Sequence, residues 1–148
     1  MKIWIVPSND HTFRISEALQ EQKGMVDWRM SNRFVAGDIV FIYMTKPEQC
    51  IRYRMEVVAT GFDDATAFYQ ERFWVDKDTY YDGLGSFIYA RFRLLERYQD
   101  DVLSLHHLHE HGLQGYLQGV REIKNEELRD FLLNPYETLN DDVYSPEP

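Results

Sequence analysis

Gly37-Asp38-Ile39-Val40-Phe41-Ile42-Tyr43-Met44, then Lys46-Pro47-Glu48, then Ile51-Arg52-Tyr53-Arg54-Met55-Glu56-Val57 is the stretch that decides the fold class. In the first run both alternating sets are apolar, so a strand there is covered on both faces, as under a helix or within a barrel. The Pro-containing segment turns the chain. In the second run Ile51, Tyr53, Met55, Val57 and Ala59 alternate with Arg52, Arg54, Glu56 and Val58, giving a core face and a mostly wet face. The two strands are expected to pair as a hairpin.

Working outward, Lys2 to Val6 reads as a first strand ended by Pro7. Asn9 or Asp10 is placed to cap a helix from near His11, with Ile15, Ala18, Leu19 and Gln22 at helical spacing and Gly24 as its stop. Trp28 then falls in a loop. Beyond the hairpin, Ala65 to Tyr69 is expected as a short helical turn and Arg72 to Val75 as an aromatic strand. Tyr80 to Gly85 is expected as a loop whose two glycines permit positive dihedrals and close approach. Phe87 to Leu95 is a further strand. Helical signals cover Val102 to His111, stopped by Gly112, and Asn125 to Leu133, capped by Asn125, with a short extended piece near Gly119-Val120-Arg121 between them. Five or six short strands with helices before and after, and no βαβ alternation, predict an α+β fold: a mixed sheet curled into a partial barrel with flanking helices.

A chain of 148 residues fits one domain with a real core. The aromatic share of 15%, with ten Tyr and nine Phe, points to β positions and a stacking surface. The single Cys50 excludes an internal disulfide and a cysteine-only metal site. No apolar run approaches the roughly 18 residues of a membrane span, and no leader is recognised, so a cytoplasmic protein is expected. The net charge of -9 is uneven: residues 1–98 carry 13 Lys or Arg against 14 Asp or Glu, whereas residues 99–148 carry 3 against 11. A near-neutral first part with clustered arginines can still present a positive groove, but weak, salt-sensitive non-specific binding follows.

One run imitates catalysis: His107-Leu108-His109-Glu110-His111 matches the H-x-x-E-H zinc signature. Gly112 ends the helix directly after it, and no partner glutamate on a continuing helix stands out, so no metal is assigned. No phosphate loop, nucleophile elbow or Cys–His pair is present. The aromatic and arginine set is more coherent, with Trp28 and the adjoining Arg29 foremost, then Trp74 and Tyr43. A pocket that reads an extruded base must replace lost stacking; extrusion costs a few kcal/mol, and each base-to-ring stack returns roughly 1–3 kcal/mol. Two or three rings suffice. Trp4 is left to the core.

Ile3-Trp4-Ile5-Val6 leading to Ser8-Asn9, the Trp28 segment, Gly37-Asp38 through Tyr43, Ile51 to Val58, and Gln118-Gly119 with Arg121 appear in the order of EVE domains. The chain resembles the EVE branch of the PUA-like superfamily, whose relatives include YTH domains and the DNA-reading domains of modification-dependent restriction systems. The likeness covers residues 1–133; residues 134–148 form an acidic tail expected to lack fixed structure. The resemblance implies a non-catalytic module without cofactor that binds DNA or RNA carrying a modified base, with a nuclease or other defence protein as partner. It implies Ser8 and Asn9 at the base edge, Trp28 and Trp74 as stacking rings, Tyr43 as a wall and Gln118 closing the site. The charge pattern favours a different function, a protein-interaction or regulatory subunit that takes a small molecule or a basic protein partner.

Overall fold

A computed structural model describes residues 1–30 and 32–137. Its elements are β1 (Ile3–Ser8), α1 (Ile15–Glu21), β2 (Met25–Arg29), β3 (Ile39–Met44), β4 (Cys50–Phe62), α2 (Lys77–Asp82), β5 (Tyr89–Arg97), α3 (Leu105–Glu110), β6 (Arg121–Glu122) and α4 (Glu126–Leu133), with a 3₁₀ turn at Glu71–Phe73. The strands form one mixed sheet in the order β2-β5-β4-β3-β1-β6, which is not closed. β1 and β3 run parallel; the other pairs are antiparallel. The Gly-Asp turn explains itself. Gly37 takes φ +96°, and the Asp38 carboxylate then accepts from Lys2 N, Trp4 Nε1 and Val35 N, each at 3.0 Å, tying the start of β1 to the start of β3.

The sheet is curled. Phe34 packs edge-on against Trp4 of β1 (5.1 Å) and Phe92 of β5 (5.4 Å) at once. In a flat sheet those strands would lie roughly 14 Å apart at about 4.8 Å per step. The concave side holds Trp4, Val6, Val26, Val40, Ile42, Met55 and Phe92, with Ile15, Ala18 and Leu19 of α1 packed into it. The convex side presents Ile3, Ile5, Ile39, Phe41 and Tyr43, which share a second buried cluster with Leu108 of α3 and Leu128, Phe131 and Leu132 of α4. β3 is therefore buried along its whole length, as its doubly apolar pattern predicts.

Several local expectations are corrected. Trp28 lies in a strand rather than a loop: Met25–Arg29 pairs with β5, placing Trp28 opposite Ala90. α1 begins at Ile15, not His11. Asn9 instead makes an Asx turn, its Oδ1 accepting from His11 N (2.7 Å), and Phe13 is drawn out to bridge Trp74. Arg72 to Val75 forms no strand beyond that bridge. Lys77–Asp82 is helical because Asp76 caps it, accepting from Thr79 N. Ile51 faces the convex core while Tyr53 and Met55 face the concave one, since the register slips by one residue between Ile42–Tyr53 and Tyr43–Ile51. α3 is shorter than expected, starting after the Ser104 cap. Beyond Glu137 the expected tail lies outside the described residues. Among the described residues, no helix is long and apolar enough to cross a membrane.

Candidate functional site

A cavity of about 290 Å³ opens where the carboxyl end of β1 meets β2. Its lining is Pro7, Ser8, Asn9, Thr12, Phe13, Asp27, Trp28, Arg29, Thr45 and Trp74. β1 and β2 are separated by three strands in the sheet order, so the curl of the sheet creates this site. Phe13 is its central ring: Trp28 meets it edge-on at 5.9 Å and Trp74 at 5.3 Å, while Trp28 also stacks on Phe92 (6.1 Å, 24° between planes). The two tryptophans are only partly buried and keep surface toward the cavity.

The polar groups divide into committed and available ones. Asp27 is fully committed: Oδ1 accepts from Arg91 Nε (2.7 Å), and Oδ2 from Arg91 Nη2 (2.9 Å) and Phe68 N (2.7 Å). That bond to the carboxylate, reinforced by its charge, raises the Arg91 pKa against the opposing effect of burial. Gln70 completes the free edge of β2, donating Nε2 to Asp27 O (2.9 Å) and accepting from Asp27 N (3.0 Å). Arg29 is also occupied. Its Nη1 and Nη2 donate to Thr79 O (3.1 Å) and Tyr80 O (2.6 Å) of α2, and its guanidinium lies 4.7 Å from the Trp74 ring centre. Gly83 allows this approach, since a Cβ there would fall 2.6 Å from Arg29 Cζ.

Asn9 Nδ2 donates to Thr45 Oγ1 (2.8 Å), which leaves the Thr45 proton free to point elsewhere. Ser8 differs from all of these. It is 7% exposed, and its Oγ has no hydrogen-bond partner among the described residues.

The structure thus brings Ser8, Asn9, Trp28, Arg29 and Trp74 to one cavity. It does not bring Tyr43 or Gln118 there. Tyr43 is buried in the convex cluster beside Ile51, where burial raises its pKa, and Gln118 is exposed between α3 and β6. Phe13, Thr12, Thr45 and Pro7 line the cavity without having been singled out from the sequence. A turn residue such as Phe13 carries no local signal of its role.

A second cavity of about 250 Å³ shares the Asp27, Arg29 and Trp74 wall and adds Asp64, Gln70, Tyr80, Leu84 and Tyr89. Burial raises the pKa of both Tyr80 and Tyr89. The histidine run does not converge. His106 pairs with Glu110, His109 Nε2 contacts Gly115 O (2.8 Å), and His111 stacks on Phe131 (3.9 Å). Among the described residues, no group of three or more His, Cys, Asp or Glu is arranged to hold a metal ion.

An open mixed sheet, curled over a helix and carrying an aromatic cavity at the end of its first strand, is an α+β domain of the PUA-like class. The family model of the EVE domain matches residues 2–132, and the chain belongs to the EVE domain family. Its fold is similar to that of ASCH from Zymomonas mobilis, at 16% identity over 90% of this chain and 95% of that one, with a TM-score of 0.60. A hypothetical protein from Leishmania major is similar at 18% identity over 94% and 97% of the two chains, with a TM-score of 0.59. The human THYN1 protein, solved in complex with 5-methylcytosine-containing DNA, is similar over 100% of both chains at 14% identity, with a TM-score of 0.58. None of the curated proteins matches the sequence.

Proposed function

We propose that this protein reads a modified base in nucleic acid, taking the base into the cavity at the end of β1 without altering it. The observation that carries the reading is the pairing of partly exposed rings, Trp28 and Trp74, with a buried Ser8 hydroxyl that has no partner among the described residues. Rings supply stacking to an extruded base, and the hydroxyl with its Asn9 and Thr45 neighbours supplies edge contacts. Family membership and the human relative in complex with 5-methylcytosine-containing DNA support DNA carrying a modified cytosine as the first ligand to try.

The ionisable side chains on the cavity wall are Asp27 and Arg29, and both are committed to other groups. Neither is available as a general base or nucleophile. A reader of this kind hands its signal to a second protein, a nuclease or other defence protein in this proposal.

The test is binding of untagged protein to matched oligonucleotides with cytosine, 5-methylcytosine, 5-hydroxymethylcytosine or N6-methyladenine, single- and double-stranded, at two salt concentrations. Selective, salt-sensitive binding to one modification is expected. Equal affinity for all of them, or none, would end the reading.

A further inference from the structure

We propose that the loop from Leu84 to Ile88 is a wedge that enters double-stranded DNA and occupies the gap left by the extruded base. The inference rests on the reading of the cavity as a base pocket and adds the surface that would open the duplex. Leu84, Phe87 and Ile88 are 40%, 40% and 51% exposed, so three large apolar side chains stand in solvent within five residues of one loop. Leu84 borders the second cavity and Phe87 packs beside Arg29, yet each keeps 40% of its surface exposed. β5 begins only at Tyr89, and the concave core takes Ala90 and Phe92.

The loop is held in place rather than left free. Gly85 N donates to Asp64 Oδ2 (2.6 Å), Ser86 N to Gly83 O (3.2 Å), and Ile88 O accepts from Met30 N (2.8 Å). Arg29 fixes the preceding helix through Thr79 O and Tyr80 O. A wedge must be rigid, because an ordering cost at insertion would subtract from binding. Gly85 and Ser86 add little bulk between Leu84 and Phe87.

Position decides the occupant. The Phe87 ring lies 5.4 Å from the Arg29 guanidinium, and Arg29 is part of the cavity wall. A base swings out by rotation about its own backbone, so the group that replaces it in the stack must adjoin the pocket. Apolar side chains inserted between base steps are the recurrent means of unstacking a duplex. A docked protein would need a broad patch, on the order of 800 Å² per partner, which three side chains of one five-residue loop do not offer.

The test compares wild type with the variant Leu84→Ser/Phe87→Ser on the same methylated cytosine sequence as duplex and as single strand. The single strand needs no opening, so the variant should lose about tenfold or more on the duplex and about twofold or less on the single strand. A fluorescent base analogue beside the modified cytosine should brighten on adding wild type to duplex and stay dim with the variant. Unchanged duplex affinity, or an equal loss on both strands, would overturn the wedge while leaving the pocket intact. Wild type showing no preference for the modified base on either ligand would remove the pocket reading and the wedge with it. The conservative variant Phe87→Tyr should keep duplex binding; its loss would count against an insertion role.

Discussion

Asp27 and Arg91 face each other as register partners on β2 and β5, and the guanidinium closes on the carboxylate through two bonds of 2.7 and 2.9 Å. Asp27's side chain is wholly buried and that of Arg91 is 24% exposed, with the guanidinium 3.9 Å from the Phe68 ring centre. The pair fixes the edge strand that carries Trp28 and, through Phe68 N, the segment that closes the second cavity.

Removing the carboxylate leaves Arg91 and Phe68 N without their acceptor. Asp27→Ala is therefore expected to destabilise the fold by about 3–5 kcal/mol, the range for breaking one side of a buried pair. Urea unfolding of the variant measures this directly. A loss under about 1 kcal/mol would rank the contact with ordinary surface bridges.

Asp38 gives the fold an acid-sensitive joint. Burial by itself raises its pKa, but bonds from Lys2 N, Trp4 Nε1 and Val35 N outweigh that and hold it below the ordinary 3.8. A lowered folded pKa contributes stability that is complete above 3.8 and is lost as pH falls through the folded value. Trp4→Phe deletes one donor, so its cost of about 1–3 kcal/mol at pH 7 should shrink as pH falls below 3.8 through the folded value. Denaturation midpoints along a series of falling pH report the difference; a cost that never shrinks would assign the effect to lost packing alone.

How far the sequence could be read depended on the range of the deciding contacts. The β3–β4 hairpin and the Gly37-Asp38 turn were legible because periodicity and glycine geometry act within a few residues. Trp28 reads as a loop residue because Asp27 and Arg29 flank it with charge, and the partners that make β2 a strand position lie 64 and 50 residues away. The family resemblance implies Tyr43 as a pocket wall, and a doubly apolar strand does not say which face is which. That choice follows from parity with Ile5 and Phe41, which face the helices. Ser8 and Asn9 came from the family resemblance, whereas Phe13 needed the bridge to Trp74 to be seen.

Trp28 supports both the fold and the proposed stack, and two substitutions separate these roles. Trp28→Ala is expected to weaken binding of the preferred oligonucleotide by about 1–3 kcal/mol, or about 5- to 150-fold. It should also lower stability, since the ring packs on Phe92 and Phe13. Trp28→Phe keeps a stacking face and should recover much of the binding. Titration of both variants, with thermal unfolding alongside, checks the pair; Trp28→Ala that melts early yet binds like wild type would place the ring in the core only.

Ser8 should behave in the opposite sense in the two states of the protein. In the free state its Oγ is buried without a partner among the described residues, a condition that costs about 1–3 kcal/mol for a group of this kind. Ser8→Ala removes that unpaired group with little change of volume, so the free variant should be as stable as wild type or more so. With a base bound, the hydroxyl gains its partner, and the same substitution should weaken binding by about 0.5–1.5 kcal/mol, the usual net value of such a bond. Unfolding of the free protein and titration of the modified oligonucleotide measure the two signs. A variant that is less stable when free and unchanged in binding would show that Ser8 serves the turn into Asn9 and has no part in recognition.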